Sequence, residues 1–66
     1  MKNRFAENIK LLREQSKLTQ KELAVKLGIT QRKVSYWESG KIEPDMDALI
    51  LISKFFDTSV DSLLME

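Results

Sequence analysis

The chain has 66 residues, enough for one small domain with a single core. Its 11 lysines and arginines nearly balance its 10 acids, for a net charge of +1. It contains neither cysteine nor histidine, which excludes disulfides, zinc fingers, thiol nucleophiles and histidine bases. The composition therefore predicts one domain over residues 1–66 that holds no metal and no cofactor.

The sequence also lacks the marks of export or membrane insertion. Its first ten residues, MKNRFAENIK, contain no apolar segment of the kind found in signal peptides. The longest apolar run, residues 48–52, is too short to cross a bilayer. We therefore expect a soluble, cytoplasmic protein with no membrane partner.

Charge is divided unevenly along the chain. Residues 1–41 carry ten lysines and arginines against four glutamates, a net charge of +6, whereas residues 42–66 carry one lysine against six acids, a net charge of −5. Such asymmetry indicates one surface that faces a polyanion and another that is turned away from it. Uneven charge is also common in small soluble domains, so this pattern alone does not establish nucleic-acid binding.

The first two helices are predicted from apolar spacing and from a capping motif. Apolar residues at i, i+4 and i+7 predict an amphipathic helix over about residues 4–15. Thr19 and Glu22 match a capping box at the start of a second helix, which Gly28 ends. The predicted inward residues are Phe5, Ile9 and Leu12 in the first helix and Leu23, Ala24 and Leu27 in the second.

Three further helices complete the prediction. Thr30 caps a third helix over about residues 31–39, and Gly40 ends it. Pro44 and Asp45 mark the start of a fourth helix, and Ser59 caps a short fifth one. The predicted inward residues are Val34 and Trp37, then Met46, Leu49, Ile52 and Phe56, and finally Val60, Leu63 and Leu64.

Two helices joined by a short turn that contains glycine are the signature of a helix-turn-helix, here over about residues 19–39. In that motif the second helix lies in the major groove of DNA. The polar residues in the first two turns of that helix are Gln31, Arg32, Lys33, Ser35 and Tyr36. We expect positions 32, 33 and 36 to lie opposite the inward residues. Glutamine can pair with adenine and arginine with guanine, so these residues suit the reading of base edges.

The segment LTQKELAVKLGITQRKVSYWESGKIEP resembles the XRE/Cro/CI-type helix-turn-helix of bacterial and phage repressors, and SVDSLL resembles the last helix of that family. The resemblance extends over about residues 5–64. It implies an all-α, compact five-helix bundle like the DNA-binding domain of lambda repressor. It also implies sequence-specific binding of double-stranded DNA by a transcriptional regulator, most simply a repressor, that is associated with the nucleoid.

The same resemblance implies roles for individual residues. The expected base readers are Gln31, Arg32 and Tyr36, with Lys33 and Ser35 contacting bases or phosphates. The expected phosphate contacts are Gln20, Thr30, Lys41 and Arg13, with Gln20 also steadying Gln31. Arg13 and Glu38 match a pair that forms a salt bridge in lambdoid repressors. Asp57 stands where the family usually has glycine, and Thr58 where an apolar residue is common, so the entry to the last helix is expected to be looser.

Some of these residues also have a purely structural interpretation. Trp37 could intercalate between bases, but its phase with Val34 favours a place in the core. Arg32 and Lys33 taken alone could be no more than a solvated helix face. Tyr36 could read a base, touch a phosphate or do neither.

Leu51 and Phe55 lie four residues apart on the fourth helix, away from its inward residues. They could widen the core contact, but a second apolar face in so small a protein favours a partner surface. We therefore predict a symmetric homodimer built from the fourth and fifth helices, with Met65 at its interface. Such a dimer would set two recognition helices about 34 Å apart on an inverted-repeat operator.

Two other functional classes can be compared with this one from the residues. A protein-interaction module such as an antitoxin or an adaptor would use the acidic second half together with the Leu51 and Phe55 face. An enzyme is excluded because the acid pairs, such as Asp45 with Asp47, stand at helix starts where capping explains them. The sequence also contains no glycine-rich phosphate loop or nucleophile–base set, and it indicates no small-molecule ligand.

Overall fold

The computed structural model describes residues 4–65, which fold into five α-helices and contain no strand. The helices are α1 (Phe5–Gln15), α2 (Gln20–Leu27), α3 (Gln31–Ser39), α4 (Met46–Phe56) and α5 (Val60–Leu64). The predicted all-α, five-helix architecture is therefore confirmed.

Four of the helices are preceded by a residue whose side chain accepts a hydrogen bond from a backbone N–H in the first turn. Thr19, Thr30, Asp45 and Ser59 each accept the backbone N–H three residues further on, at 2.8–3.2 Å. These bonds satisfy donors that a helix start otherwise leaves unpaired. The sequence predicted a helix start at each of these four residues.

The predicted capping box at the start of α2 is complete. Thr19 Oγ1 accepts the Glu22 N–H at 3.0 Å, and Glu22 Oε1 accepts the Thr19 N–H at 2.8 Å. The hydrogen bond from the Thr19 backbone stabilises the carboxylate and lowers the pKa of Glu22. Glu22 therefore stabilises this helix start more strongly when its carboxyl group is ionised than when it is protonated.

Three helices end at a residue in the left-handed region. Gly28 has φ 72°, Gly40 has φ 76° and Asp57 has φ 52°. Aspartate tolerates this conformation better than most side chains, so Asp57 can occupy a position where the resemblance led us to expect glycine. Lys17, in the connector between α1 and α2, also has a positive φ of 59°, which the sequence did not indicate.

The core lies where the five helices meet. Its buried residues are Phe5, Ile9, Leu23, Ala24, Leu27, Val34, Trp37, Leu49, Ile52 and Leu63. Trp37 is 1% exposed, and its ring meets that of Phe5 edge to face at a centroid distance of 6.1 Å. Trp37 is thus a core residue, as its phase predicted.

The prediction that Met46 belongs to the core is wrong, because its side chain is 63% exposed. The inward face of α4 runs through Leu49 and Ile52, with Ala48 and Phe56 packed beside them. With 3.6 residues per turn, Met46 lies more than about a quarter of a turn from the middle of that face.

Asn8 fastens α5 to α1, a role that the sequence did not indicate. Its Nδ2 donates to the carbonyl oxygens of Leu63 at 2.9 Å and Met65 at 2.7 Å, with that of Ser62 at 3.3 Å. The helix α5 has only five residues and cannot satisfy its own last carbonyls. One amide therefore supplies the C-terminal cap that this helix lacks.

We expect Asn8→Ala to lower the free energy of unfolding by about 1 kcal/mol, the net value of a typical hydrogen bond. Asn8→Asp should cost more, because a carboxylate would face carbonyl oxygens. Urea denaturation measures both changes, with Lys10→Ala, an exposed α1 substitution, as the control. Equal stability of the Asn8 and Lys10 variants would contradict the proposed cap.

Candidate nucleic-acid interface

The helix α3 presents a polar surface because its apolar residues all point inward. Val34 is fully buried, and Trp37 is almost fully buried. Gln31, Arg32 and Lys33 are exposed, whereas Ser35 and Tyr36 are half-buried. The five predicted base readers are thus all at or near the surface.

The outward face of α3 is centred on Arg32 and Tyr36. Ser39 extends it, since positions 32, 36 and 39 follow the helical spacing i, i+4 and i+7. Ser39 is exposed, and its Oγ donates to the carbonyl oxygen of Tyr36 at 3.2 Å. Ser39 was not among the residues predicted to face DNA, although its spacing from Arg32 could have identified it.

The expectation that Lys33 lies opposite Trp37 is wrong. The two residues are four positions apart and share a side of α3, with Lys33 Nζ 5.8 Å from the centroid of the Trp37 ring. Lys33 and Trp37 line a shallow cleft together with Asp45 and Asp47 at the start of α4. Lys33 thus occupies the flank of α3 that faces α4.

The carboxylate of Glu38 joins α3 to both preceding helices. Arg13 donates to it through Nε, at 2.7 Å, and through Nη2, at 3.1 Å. Gln20 Nε2 donates to the same group at 3.2 Å. The side chain of Glu38 is 4% exposed and that of Arg13 is 12% exposed. Arg13 and Glu38 therefore form the expected ion pair, and it is shielded from water.

A third nitrogen of Arg13 is also engaged. Its Nη1 donates to the carbonyl oxygen of Leu18 at 2.7 Å, in the connector between α1 and α2. The hydrogen bonds to Glu38 stabilise the charged guanidinium and raise the pKa of Arg13. A phosphate contact by Arg13 would have to use its remaining N–H groups.

Gln20 differs from its expected role in one respect. It was expected to steady Gln31, but its amide nitrogen donates to Glu38. Its side chain is half-buried at the first position of α2. A phosphate contact by Gln20 would come from a side chain that Glu38 already orients.

The remaining expected phosphate contacts lie at the two ends of α3. Thr30 is exposed and caps the first turn by accepting the Lys33 N–H at 3.2 Å. The N-terminus of a helix favours anions because its N–H groups and its dipole point outward. Lys41 is exposed directly after Gly40, and its Nζ lies 4.8 Å from the centroid of the Tyr36 ring.

A second exposed surface carries apolar residues. Leu51 is 41% exposed, Phe55 37% and Met65 62%. The ring of Phe55 meets that of Phe56 edge to face at 4.9 Å, so the exposed ring rests on one that packs against the core. Leu51 and Phe55 lie outside the core, which disfavours the interpretation that they merely widen it.

The described residues, 4–65, contain neither a metal-binding cluster nor a membrane-spanning helix. No group of acidic, histidine or cysteine side chains in that range is arranged to hold a metal ion. None of its helices combines the length and apolarity that a membrane span requires.

A family model described as helix-turn-helix matches residues 9–63, which include α2, the turn and α3. The chain belongs to the XRE-type helix-turn-helix family. It is 50% identical over 60 residues to YqaE of Bacillus subtilis strain 168, named as an uncharacterised HTH-type transcriptional regulator. That alignment covers 91% of this chain and 52% of YqaE, so the chain spans about half the length of this relative.

Solved structures with the same fold include proteins of two kinds. A transcriptional regulator from Listeria innocua aligns with a TM-score of 0.88 and 33% identity, over 97% of this chain and 60% of that one. Hydroxypropylphosphonic acid epoxidase from S. wedmorenis aligns with a TM-score of 0.81 and 38% identity, over 91% of this chain but only 32% of the enzyme. The likeness to the epoxidase is therefore confined to one part of that protein.

We expect Glu38→Ala to lower the free energy of unfolding by about 3–5 kcal/mol, because it leaves the shielded charge of Arg13 without a partner. Glu14→Ala, at an exposed position of α1, should change stability by less than about 0.5 kcal/mol. Thermal and urea denaturation measure both.

The double variant Arg13→Met with Glu38→Leu shows whether Glu38→Ala loses stability because Arg13 has no partner or because packing is lost. Replacing both members of a buried pair by apolar residues of similar size is often neutral or stabilising, so most of the stability should return. Equal melting temperatures for Glu38→Ala and Glu14→Ala would contradict the assigned role of the ion pair.

Proposed function

We propose that the chain binds double-stranded DNA in a sequence-specific manner, with α3 in the major groove, and that it regulates transcription. The observation that supports this most is the outward face of α3. Gln31 and Arg32 are exposed in its first turn, on a helix that Glu38 fastens to α1 and α2. A recognition helix needs both donor-rich outward side chains and a fixed attachment.

The side chains of the first turn suit base reading. Gln31 can pair with adenine N6 and N7, and Arg32 with guanine O6 and N7, each pairing discriminating by about 1–3 kcal/mol. Tyr36 lies one turn after Arg32 and would meet the next base pair along the groove. Ser35, half-buried, is assigned a lesser base contact.

The phosphate contacts would surround this face. Thr30 and Gln20 stand at the starts of α3 and α2, and Lys41 follows the end of α3. Lys33 is better placed for a phosphate than for a base, because it lies on the α4 flank beside Trp37. The net charge of +6 on residues 1–41 supports the same docking side.

We further propose that the protein acts as a homodimer, joined through Leu51, Phe55 and Met65, on an inverted-repeat operator. Two copies of α3 could then enter successive major grooves, about 34 Å apart. The simplest action of such a dimer is repression, by covering a promoter. A protein with this role would act in the cytoplasm, associated with the nucleoid.

The proposal includes no catalytic activity. Asp45, one of the few acids near another, caps α4 by accepting the Ala48 N–H at 2.8 Å. The epoxidase shares this fold over only 32% of its length, and likeness of fold does not carry its chemistry to this chain.

A protein-interaction module, such as an antitoxin or an adaptor, is the second candidate. Its support is the second half of the chain, residues 42–66, with a net charge of −5 and the exposed side chains of Leu51 and Phe55. The two functions are compatible, because a partner on this surface would leave the outward face of α3 free.

Selection from a randomised duplex DNA pool at near-physiological salt tests the proposal. We expect enrichment of an inverted repeat with half-sites about one helical turn apart. Gln31→Ala and Arg32→Ala should each relax particular base pairs and weaken binding about 5- to 150-fold, the equivalent of 1–3 kcal/mol. Gln15→Ala, an exposed glutamine at the end of α1, is the matched control. Weak binding without any enriched sequence would favour the interaction module.

The dimer is tested by sedimentation of Phe55→Asp. A charge at the centre of the proposed interface should shift the protein to monomers and weaken binding to the full inverted repeat more than to a half-site. Leu11→Asp places the same charge on another exposed apolar residue, on α1, and should leave the oligomeric state unchanged. The same oligomeric state for Phe55→Asp and the parent would contradict the dimer.

A further inference from the structure

The end of α3 folds back on the helix and places Lys41 beside Tyr36. Gly40 adopts φ 76°, and the Lys41 N–H then donates to the carbonyl oxygen of Tyr36 at 2.9 Å. This is the hydrogen bond by which a left-handed residue closes a helix end. It fixes the backbone of Lys41 against the turn of α3 that carries Tyr36.

The side chains of the two residues meet as well. Lys41 Nζ lies 4.8 Å from the centroid of the Tyr36 ring, within the range of a cation–π contact. Tyr36 is half-buried, and its own carbonyl also accepts the Ser39 hydroxyl at 3.2 Å. The backbone around the ring is thus held, and the ammonium covers one face of the ring.

We propose that Lys41 is a positioning residue that sets the orientation of the Tyr36 ring, so that base preference on α3 depends on a residue beyond the end of that helix. This inference rests on the proposed function. An ammonium has three N–H donors, and one ring face does not occupy all of them. The same group can therefore hold a backbone phosphate and the ring together, which links a phosphate contact to the reading of a base.

The size of the effect follows from the strength of the contact. At an exposed site a cation–π contact favours one ring orientation by about two- to fivefold. Loss of the ammonium should therefore weaken discrimination at the Tyr36-dependent base pair by a similar factor. If Lys41 served only as a phosphate contact, its replacement would instead lower affinity for all sequences alike and reduce the salt slope by about 1.

Lys41→Met tests this, because it keeps an unbranched side chain one atom shorter and removes the charge. DNA selection with the parent, Tyr36→Ala, Lys41→Met and Lys41→Arg compares base preferences position by position. We expect Lys41→Met to lose about two- to fivefold of the preference at the same base pair that Tyr36→Ala relaxes. Lys41→Arg should retain that preference. An unchanged base preference in Lys41→Met, with only a uniform loss of affinity, would overturn the positioning role and leave the proposed function standing.

The contact itself is measurable without DNA. In the free protein the ε-methylene protons of Lys41 should be shifted upfield by the ring current of Tyr36, and Tyr36→Leu should abolish the shift. Absence of the shift in the parent would overturn the inference independently of any binding result. Failure of the parent to enrich any DNA sequence would overturn the proposed function and, with it, this dependence.

Discussion

The geometry of this domain depends most on the hydrogen bonds that the carboxylate of Glu38 accepts. This carboxylate accepts hydrogen bonds from Arg13 on α1 and from Gln20 on α2, while Glu38 itself belongs to α3. A core of so few residues resists expansion but does not by itself define the angle between short helices. Directional hydrogen bonds in a water-poor site do define it, and they offset part of the cost of removing both charges from water.

The helix α3 has only nine residues, and its two sides have different tasks. Val34, Trp37 and Glu38 attach it to the rest of the domain, whereas Arg32 and Tyr36 face outward. Residues of attachment and residues of proposed recognition are thus interleaved along this one short helix. A small rotation of the attached side would therefore move every outward side chain, which explains why a domain of marginal stability keeps a costly shielded ion pair behind this helix.

The sequence predicted most reliably the features that are decided locally. The capping box of Thr19 and the left-handed end at Gly28 depend on neighbours within one turn, and both formed as expected. The errors at Met46 and Lys33 concern the phase of a helix against its neighbours, which tertiary packing decides. Asn8 was missed because its partners lie more than fifty residues away along the chain. The roles of α3 side chains toward DNA stay predictions, since they depend on a docking angle.

The uneven distribution of charge affects both proposed surfaces, the DNA-binding face of α3 and the dimer surface of α4 and α5. The segment of residues 1–41, with a net charge of +6, contains α1 to α3, and the segment of residues 42–66, with −5, contains α4 and α5. The phosphates of DNA would attract the first group and repel the second, which orients the domain before any base is read. A dimer through α4 and α5 would bring two acidic segments together, so its apolar contacts must exceed their repulsion. Salt would then weaken the DNA contact, because it screens the attraction between the phosphates and the basic segment. It would strengthen the dimer, because it screens the repulsion between the two acidic segments.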